Sequence, residues 1–261
     1  MIPVLPYPPD LSALQEVLWS GAGCVIVRGL PLDTSAQDAY LHLASQLGTV
    51  LPQTLSGTMI YSVRDEGYQL KRDFGQAGVR TSKTTEAFGF HTDSPSRLAG
   101  HTPDALGLLV LATAKSGGAS VFVDGRKVYA AIAAEQPQYL ERLRRPFWVD
   151  RRAELPPGEP PILPVPIFTL EPEFQVRYVR LYIEKGQELF GEPLTQFEID
   201  ALDYFDEVCA RLSVSMQLER GDIQLLNNVT HLHGRTAYVD HAEPERKRHY
   251  LRIWIQRSHQ A

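Results

Sequence analysis

Two short segments of the chain carry residue types that bind metal ions, at a spacing that suits a shared site. The first is FHTDSP, in which His91 and Asp93 stand two residues apart. Side chains at positions i and i+2 of a β-strand point to the same side of the strand. If this segment is a strand, one imidazole and one carboxylate can therefore reach a single metal ion. The His-x-Asp pattern is weak by itself, because a strand-edge histidine beside a turn aspartate gives the same letters.

The second segment is NNVTHLHGRT, in which His231 and His233 are also two residues apart. Either histidine could complete a set of two imidazoles and one carboxylate with His91 and Asp93. Such a set leaves three coordination positions open on one side of the metal, the geometry of non-haem Fe(II) oxygenases. Alternation along a strand does not separate the two histidines, since both would face the same way.

The tail segment RHYLRIWIQ adds a third element, a strand with two different faces. One face carries Arg248, Tyr250, Arg252 and Trp254, and the other carries His249, Leu251, Ile253 and Ile255. We expect the largely aliphatic face to be buried. The arginines opposite are then either solvated or line a polar cavity, where a guanidinium can hold a carboxylate through two parallel hydrogen bonds.

Strands dominate the elements that would position these residues. Helices are predicted at Asp10–Ser20, Ser35–Leu47, Val128–Glu135, Pro137–Arg144 and from Thr195 to about Leu212, where Thr195 and Glu198 form a capping box. Strands are predicted at residues 24–27, 59–63, 88–93, 106–111, 120–123, 174–183, 214–218, 223–227, 229–233 and 248–256. The proline-dense segment 154–166 is predicted to be a loop or an edge strand, because proline cannot donate to a central ladder.

Composition excludes several classes of protein. The 261 residues carry a net charge of −5, which argues against a nucleic-acid binder with a broad basic surface. The two cysteines are too few for a disulfide framework and fit a reducing compartment. No apolar run approaches the roughly 20 residues that span a bilayer, and the N-terminus does not have the pattern of a secretory signal. No dinucleotide or nucleoside-triphosphate fingerprint is present. We therefore expect a soluble cytoplasmic protein that binds a small molecule, and neither nucleic acid nor a membrane.

A series of segments, taken in order, makes the chain resemble a known family. These are GCVIVRGL, LASQLGTVLPQ, IYSVRDE, FHTDSP, SGGASVFVDG, GDIQLLNNVTHLHGRTAYVD and ERKRHYLRIWI. They resemble the taurine dioxygenase and clavaminate synthase-like family of Fe(II)/2-oxoglutarate oxygenases over most of the chain. The resemblance implies a single domain over residues 1–261, mainly β with flanking helices (α+β). It also implies a double-stranded β-helix, or jelly roll, with a helical insert at roughly 134–213 between the metal-ligand strands.

The resemblance also implies roles for particular residues. It assigns the metal ligands to His91, Asp93 and His233, because the family's distal histidine opens an H-G/A-R motif. His231 then becomes a neighbouring or packing residue. The hydroxyl of Ser120, after a Gly-Gly pair, and the guanidinium of Arg248 are implied to hold the distal carboxylate of 2-oxoglutarate.

The implied activity uses Fe(II), 2-oxoglutarate as cosubstrate and O₂, and releases succinate and CO₂. Arg252 matches a family position near cosubstrate and substrate. We expect hydroxylation of an unactivated C–H bond in a small molecule, such as an amino acid or another small carboxylate. Taurine is not expected, since Ala87 stands where the taurine enzyme uses an asparagine. Further residues considered for substrate contact are Arg64, Arg80, Arg177, Arg180 and Glu86.

Other functions remain open at this point. The same oxygenase chemistry could desaturate or cyclise its substrate. A metal-dependent hydrolase or isomerase on a cupin-like barrel would use zinc or manganese and a bound water, and would need neither 2-oxoglutarate nor Arg248. A non-catalytic binding protein is disfavoured, because His91, Asp93, His233 and Arg248 are all present. A homo-oligomer is compatible with the sequence.

Overall fold

The computed structural model describes residues 2–69, 80–95, 102–152, 155 and 158–258. Its helices are α1 (Leu11–Gln15, continued by a π-helical turn at Glu16–Ser20), α2 (Ala36–Leu47), α3 (Gly125–Glu135), α4 (Pro137–Leu143), α5 (Arg180–Phe190) and α6 (Gln196–Leu212). Short 3₁₀ turns lie at Thr81–Lys83 and Pro244–Arg246.

Strands make up most of the remaining regular structure. They are β1 (Val4–Pro6), β2 (Cys24–Arg28), β3 (Gly48–Leu51), β4 (Tyr61–Val63), β5 (Phe88–His91), β6 (Ala105–Ala112), β7 (Ser116–Gly117), β8 (Ser120–Asp124), β9 (Phe147–Asp150), β10 (Ile162–Val165), β11 (Phe168–Thr169), β12 (Gln175–Val176), β13 (Val214–Met216), β14 (Ile223–Asn227), β15 (His231–Arg235), β16 (Tyr238–Val239) and β17 (His249–Arg257). The mixture of strands and flanking helices confirms the predicted α+β class.

The larger sheet has the order β1-β2-β14-β6-β17-β3, with β4 also paired to β17. Its outer face packs against α1, the π-helical turn and α2. The buried residues of this layer include Leu14, Leu18, Tyr40, Leu43, Val25, Leu109, Leu225, Leu251, Ile253 and Ile255. The predicted division of the tail strand into two faces is therefore confirmed, because the aliphatic side chains of β17 lie in this core.

The smaller sheet has the order β13-β8-β15-β5. Its inner face meets the inner face of the larger sheet at Phe122, which packs with Cys24, Leu106, Leu226 and Trp254. Within this sheet β15 lies antiparallel to β5, and His233 is the direct cross-strand partner of His91. The space between the two sheets is thus where the histidine-bearing segments meet.

Helices α3 to α6 and strands β9 to β12 come between β8 and β13 in the chain. They form a second core on the outer side of the smaller sheet, to which β8 and β15 contribute Val123 and Leu232. The predicted capping box is present, since the Thr195 side chain accepts from the Glu198 main chain and the Glu198 carboxylate accepts from the Thr195 main chain. This layer holds the smaller sheet against the larger one.

Three predicted strands differ in the structure. The strand predicted over Phe174–Ile183 is wrong, because only Gln175–Val176 is extended and α5 begins at Arg180. The buried positions of α5 include Ile183, Gly186 and Gln187, which follow helical spacing. The strand predicted over 88–93 ends at His91.

The strand predicted over 229–233 is displaced to His231–Arg235. The displacement has a local cause, because the Asn227 side chain accepts hydrogen bonds from the main-chain N–H groups of Val229 and Thr230. Asparagine side chains commonly form such turns with the backbone two residues on.

Candidate metal centre and adjoining cavity

Three buried side chains from the two histidine-bearing segments converge between the sheets. The potential ligand atoms of His91, Asp93 and His233 all lie within 4.8 Å of one another. The ring centroids of His91 and His233 are 4.0 Å apart. Each of the three residues is about 5% exposed, so the cluster is shielded from bulk water. The pairing of β5 with β15 produces this convergence.

The His91 ring is held so that one nitrogen faces the cluster. Its Nδ1 lies 2.9 Å from the carbonyl oxygen of Gly89, and a carbonyl can only accept, so Nδ1 carries the proton. Nε2 then keeps its lone pair and lies 3.8 Å from Asp93 Oδ1. The ring of Phe88 stacks on the imidazole at 3.6 Å between centroids. These contacts fix both the orientation and the tautomer of His91.

Both histidines of the cluster are neutral at physiological pH. Burial lowers the pKa of His91 well below its usual value, and the nearby His233 lowers it further. Burial likewise lowers the pKa of His233. Neutral imidazole is the form that binds a metal ion. Within the described residues, the buried Nδ1 of His233 has no hydrogen-bond partner.

Asp93 lies just after β5, in a turn rather than in the strand. The expectation that a continuous strand presents His91 and Asp93 is therefore wrong, although the two side chains do meet. The Asn228 side chain fixes the turn, because its Oδ1 accepts the N–H of Asp93 at 2.8 Å and its Nδ2 donates to the Asp93 carbonyl at 3.1 Å. The next residue, Ser94, has a φ of 55°, a left-handed conformation that is uncommon outside glycine.

The Asp93 carboxylate is held by two residues of β17. The indole Nε1 of Trp254 donates to Oδ2 at 2.7 Å, and Arg252 Nη1 lies 3.2 Å from Oδ1 and 3.1 Å from Oδ2. Burial alone would raise the pKa of Asp93, but the Arg252 guanidinium and the neighbouring groups outweigh it, and the pKa falls to about 2. The carboxylate is therefore charged, with Oδ2 turned to Trp254 and Oδ1 toward His91.

Gln53 fixes Arg252 in turn, and nothing in the sequence pattern pointed to it. Its Oε1 accepts from Arg252 Nε at 2.8 Å, and its Nε2 donates to the Arg252 carbonyl at 2.7 Å and to the Met59 carbonyl at 2.9 Å. The Gln53 side chain comes from the loop after β3, about 200 residues away in the chain. Only the folded chain brings it to β17.

His231 lies outside the cluster although it is on the same strand as His233. It is buried, and its Nδ1 is 2.8 Å from Thr230 Oγ1. The ring sits against Gly23, where a Cβ atom would lie only 2.1 Å from His231 Cε1. Gly23 also has a φ of +68°, so glycine is required there both for space and for backbone conformation.

A second group of polar side chains lies around Arg248. The Arg248 guanidinium carbon is 3.7 Å from the centroid of the Tyr250 ring and 5.2 Å from that of Tyr238. Its Nε and Nη1 are buried and have no hydrogen-bond partner in the described part of the chain. Ser120 Oγ donates to Gln224 Oε1 at 2.5 Å. Nearby buried atoms without such a partner include Gln224 Nε2, Arg235 Nε, Tyr238 OH and Asp240 Oδ2, and Arg252 Nη2 also lacks one.

A cavity of about 470 Å³ opens beside His91 and Asp93. Its lining includes four arginines: Arg80, Arg151, Arg152 and Arg252. Arg80 was considered from the sequence, whereas Arg151 and Arg152 were not. The other candidates are absent from the described lining: Arg64, Arg177, Arg180 and Glu86. Arg180 instead pairs with Glu184 and Asp203, as a structural residue of α5.

The helices of the described ranges include none that is long and apolar enough to cross a membrane. A further histidine, His101, lies outside the described residues.

The chain is similar to known proteins along almost its whole length. The family model described as "Taurine catabolism dioxygenase TauD, TfdA family" matches residues 5–254. The chain is 32% identical over 250 residues to FR-33289 synthase of Streptomyces rubellomurinus, covering 92% of this chain and 70% of that protein. It is 24% identical over 255 residues to the taurine hydroxylase-like protein SAT17 of Stachybotrys chartarum, covering 94% of this chain and 64% of that protein.

Solved structures share the fold at low sequence identity. An asparagine oxygenase in complex with Fe(II), 2S,3S-3-hydroxyasparagine and succinate superposes with a TM-score of 0.74 at 18% identity, covering 95% of this chain and 78% of that one. The non-haem iron oxygenase OrfP in complex with Fe and α-ketoglutaric acid gives 0.66 at 14% identity, covering 94% and 79%. Together with the family match, this confirms the resemblance seen in the motifs: the chain belongs to the TauD/TfdA family of non-haem Fe(II)- and 2-oxoglutarate-dependent dioxygenases.

Proposed function

We propose that the protein hydroxylates an unactivated C–H bond of a small anionic molecule, with 2-oxoglutarate as cosubstrate and release of succinate and CO₂. The observation that carries this proposal is the convergence of His91, Asp93 and His233 beside an arginine-lined cavity. A hydrolase or isomerase would also use such a metal site. It would leave the buried, unpartnered guanidinium atoms of Arg248 without a purpose.

In this proposal His91, Asp93 and His233 hold Fe(II). The set fits the ion, because it consists of two neutral imidazoles and one charged carboxylate, and because His233 keeps a buried nitrogen without a partner. When bound, the iron supplies the activation of O₂ that oxidises both cosubstrate and substrate. Trp254 donates to Oδ2 of Asp93, which leaves Oδ1, the oxygen nearer His91, available to the ion, and two imidazoles with one carboxylate would leave room on the iron for cosubstrate and O₂.

Arg248 holds the distal carboxylate of 2-oxoglutarate in this proposal. Its guanidinium is buried against Tyr250, and its Nε and Nη1 are available as donors. A guanidinium matches the two oxygens of a carboxylate with parallel hydrogen bonds. Ser120 belongs to the same group of side chains. Arg252 lies at the metal end, where it contacts Asp93 and borders the cavity.

The substrate is expected to be small and to carry a carboxylate or a similar anionic group, as amino acids do. The cavity can take a molecule of that size, and its described lining has four arginines against two acidic residues, Asp93 and Glu159, an excess that favours negative charge. Structures of the fold neighbours support an amino acid, since one contains hydroxyasparagine and another contains (3S)-hydroxy-L-Arg. We further infer that the two sheets form a jelly roll in one domain over residues 1–261, with residues 134–213 as the insert.

The test is an anaerobic titration of the purified protein with Fe(II) and then 2-oxoglutarate, followed by an oxygen-uptake screen over amino acids and other small carboxylates. The expected result is uptake and succinate formation that both require 2-oxoglutarate. Isotopically labelled O₂ should place one labelled oxygen in the product. Labelled succinate with an unlabelled product would instead indicate desaturation or cyclisation. Turnover of a substrate with zinc or manganese and without 2-oxoglutarate would overturn the proposal.

A further inference from the structure

Gln224 lies in the middle of β14 and is completely buried. Its direct cross-strand partner on β6 is Leu108, and Leu108 is in turn paired with Arg252 of β17. Residues that are directly opposite on neighbouring strands present their side chains on the same face of a sheet. Gln224 and Arg252 therefore share the inner face of the larger sheet, which also carries Trp254.

The proton of the Ser120 hydroxyl is already used in a hydrogen bond. The hydroxyl donates to Gln224 Oε1 across the gap between the two sheets, at 2.5 Å. A serine hydroxyl has one proton, and a carboxylate can only accept hydrogen bonds. While this bond is kept, a carboxylate placed beside Ser120 receives no hydrogen bond from it. The Ser120 hydroxyl instead fixes the Gln224 amide so that its Nε2 points elsewhere.

Gln224 Nε2 is a buried donor with no partner among the described residues. Such orphan donors are rare in folded proteins and call for an explanation. Ser120 is the cross-strand partner of Arg235, and Arg235 and Arg248 both face the Tyr238 ring, at 4.6 Å and 5.2 Å. Arg248 also lies near the start of β8, since a Cβ on Gly118 would be 3.6 Å from its Nε.

Within the described residues, the unpartnered buried atoms of this group are mostly donors, namely Arg248 Nε and Nη1, Arg235 Nε and Gln224 Nε2, against Asp240 Oδ2 and the Tyr238 hydroxyl. Asp240 accepts the main-chain N–H of Arg248 at 2.8 Å, but the guanidinium Nε and Nη1 remain without partners. An anion with two acceptor oxygens would satisfy the Arg248 guanidinium and the Gln224 amide together.

We propose that Gln224 donates a hydrogen bond to the distal carboxylate of 2-oxoglutarate, and that Ser120 acts on the cosubstrate through Gln224. This inference rests on the proposed placement of that carboxylate at Arg248. Gln224 is a binding residue, and Ser120 is a positioning residue that holds the amide. The two groups that would hold the carboxylate, the Arg248 guanidinium and the Gln224 amide nitrogen, are both donors.

The experiment measures the dissociation constant of 2-oxoglutarate by anaerobic calorimetry on the Fe(II)-loaded protein. The variants are Gln224→Met, Gln224→Glu and Ser120→Ala. Losing a hydrogen bond to a charged group weakens binding roughly ten- to a hundredfold, and Gln224→Met should show this loss. Gln224→Glu should be weaker still, since it sets a second carboxylate against the first. Ser120→Ala should lose less than Gln224→Met.

A second ligand, 2-oxobutyrate, has the metal-chelating end of 2-oxoglutarate without the distal carboxylate. Its affinity should be the same for wild type and for both Gln224 variants, which excludes a general loss of fold. The matched control is Gln187→Met, a buried glutamine that hydrogen-bonds Trp148 and Glu192 in the α5 region. It should leave 2-oxoglutarate binding unchanged.

Two outcomes would overturn the inference. One is wild-type affinity for 2-oxoglutarate in Gln224→Met, and the other is a greater loss in Ser120→Ala than in Gln224→Met, which would make Ser120 the direct donor. Arg248→Ala, measured in parallel, tests separately whether the distal carboxylate of 2-oxoglutarate lies at Arg248. If Arg248→Ala also binds 2-oxoglutarate normally, the proposed placement of the cosubstrate is wrong as well.

Discussion

The two ends of the inner face of β17 differ in how their polar groups are satisfied. At the Asp93 end, the carboxylate is bonded to Trp254 and Arg252, and Arg252 is bonded to Gln53. At the Arg248 end, several buried donors have no partner among the described residues, whereas the Asp93 end leaves Arg252 Nη2 and His233 Nδ1 without one.

This difference separates a site that the protein builds by itself from one that a ligand completes. The contacts that orient Asp93 and His91 come from the chain, so these two side chains are held in place by the protein itself. In the proposed function, the donors around Arg248 gain partners from the distal carboxylate of 2-oxoglutarate. Unpaired buried donors cost stability, and binding that satisfies them recovers it.

The largest effect is expected when one of the three proposed metal ligands is removed. His233→Ala should reduce 2-oxoglutarate turnover below detection and weaken Fe(II) binding, because one of the three ligands is removed. His231→Ala is the matched control on the same strand and should retain measurable turnover. Fe(II) titration and succinate formation check both variants. Loss of iron binding in His231→Ala but not in His233→Ala would reverse the assignment of the distal ligand.

The next largest effect is expected when Arg248 is replaced, which should leave metal binding intact. Arg248→Ala should raise the apparent KM for 2-oxoglutarate at least a hundredfold, because an unpaired buried carboxylate costs about 3–5 kcal/mol. Fe(II) affinity should be unchanged. Steady-state kinetics and metal titration of the same preparation give the two values. An unchanged KM would make Arg252 the next candidate for the cosubstrate.

The two ends of β17 can also be compared by the free energy of unfolding of the protein without metal or cosubstrate. Arg252→Met should lower the free energy of unfolding by about 3–5 kcal/mol, since it strands the buried Asp93 carboxylate. Arg248→Met should stay within about 1 kcal/mol of wild type, because its guanidinium has no carboxylate partner and the methionine still packs on Tyr250. Urea denaturation measures both. Equal losses would show that the two ends do not differ.

The smallest expected effect concerns the indole of Trp254. Trp254→Phe keeps the ring and removes the donor to Asp93 Oδ2, so Fe(II) affinity should fall by about ten- to a hundredfold, as for other residues that orient a metal ligand. Trp148→Phe is the control, since Trp148 stacks on Phe190 away from the cluster. If the two variants bind Fe(II) equally well, the indole has no role in holding the carboxylate.

Much of the fold followed from local patterns. The faces of β17, the helix Ala36–Leu47 and the Thr195 capping box depend on periodicity and on neighbouring residues, which the sequence contains. The segment 174–183 was mispredicted because apolar and charged residues alternate there closely enough to fit a strand. Its helix is decided by burial against the rest of the layer, which no local pattern reports.

The site also contains residues that local patterns predict and residues that they do not. His91, Asp93 and His233 stand in recognisable motifs, and all three were predicted from the sequence. Gln53 and Gln224 lie in two of the segments that carry the family resemblance, but no role was predicted for either. They belong to the site because distant segments meet in the folded chain, Gln53 at Arg252 and Gln224 at Ser120. A buried glutamine with an unpartnered amide is visible only once the surrounding atoms are known.

The two faces of β17 also bear on insertions and deletions. One face carries Arg252 and Trp254 to the site, and the other carries Leu251 and Ile253 into the core beneath α2. Because side chains alternate, a shift of one residue would exchange the two faces along the whole strand. Leucine and isoleucine would then face the metal ligands, and a guanidinium would enter the apolar core. A change of one residue in the length of this strand would therefore disrupt the site and the core together.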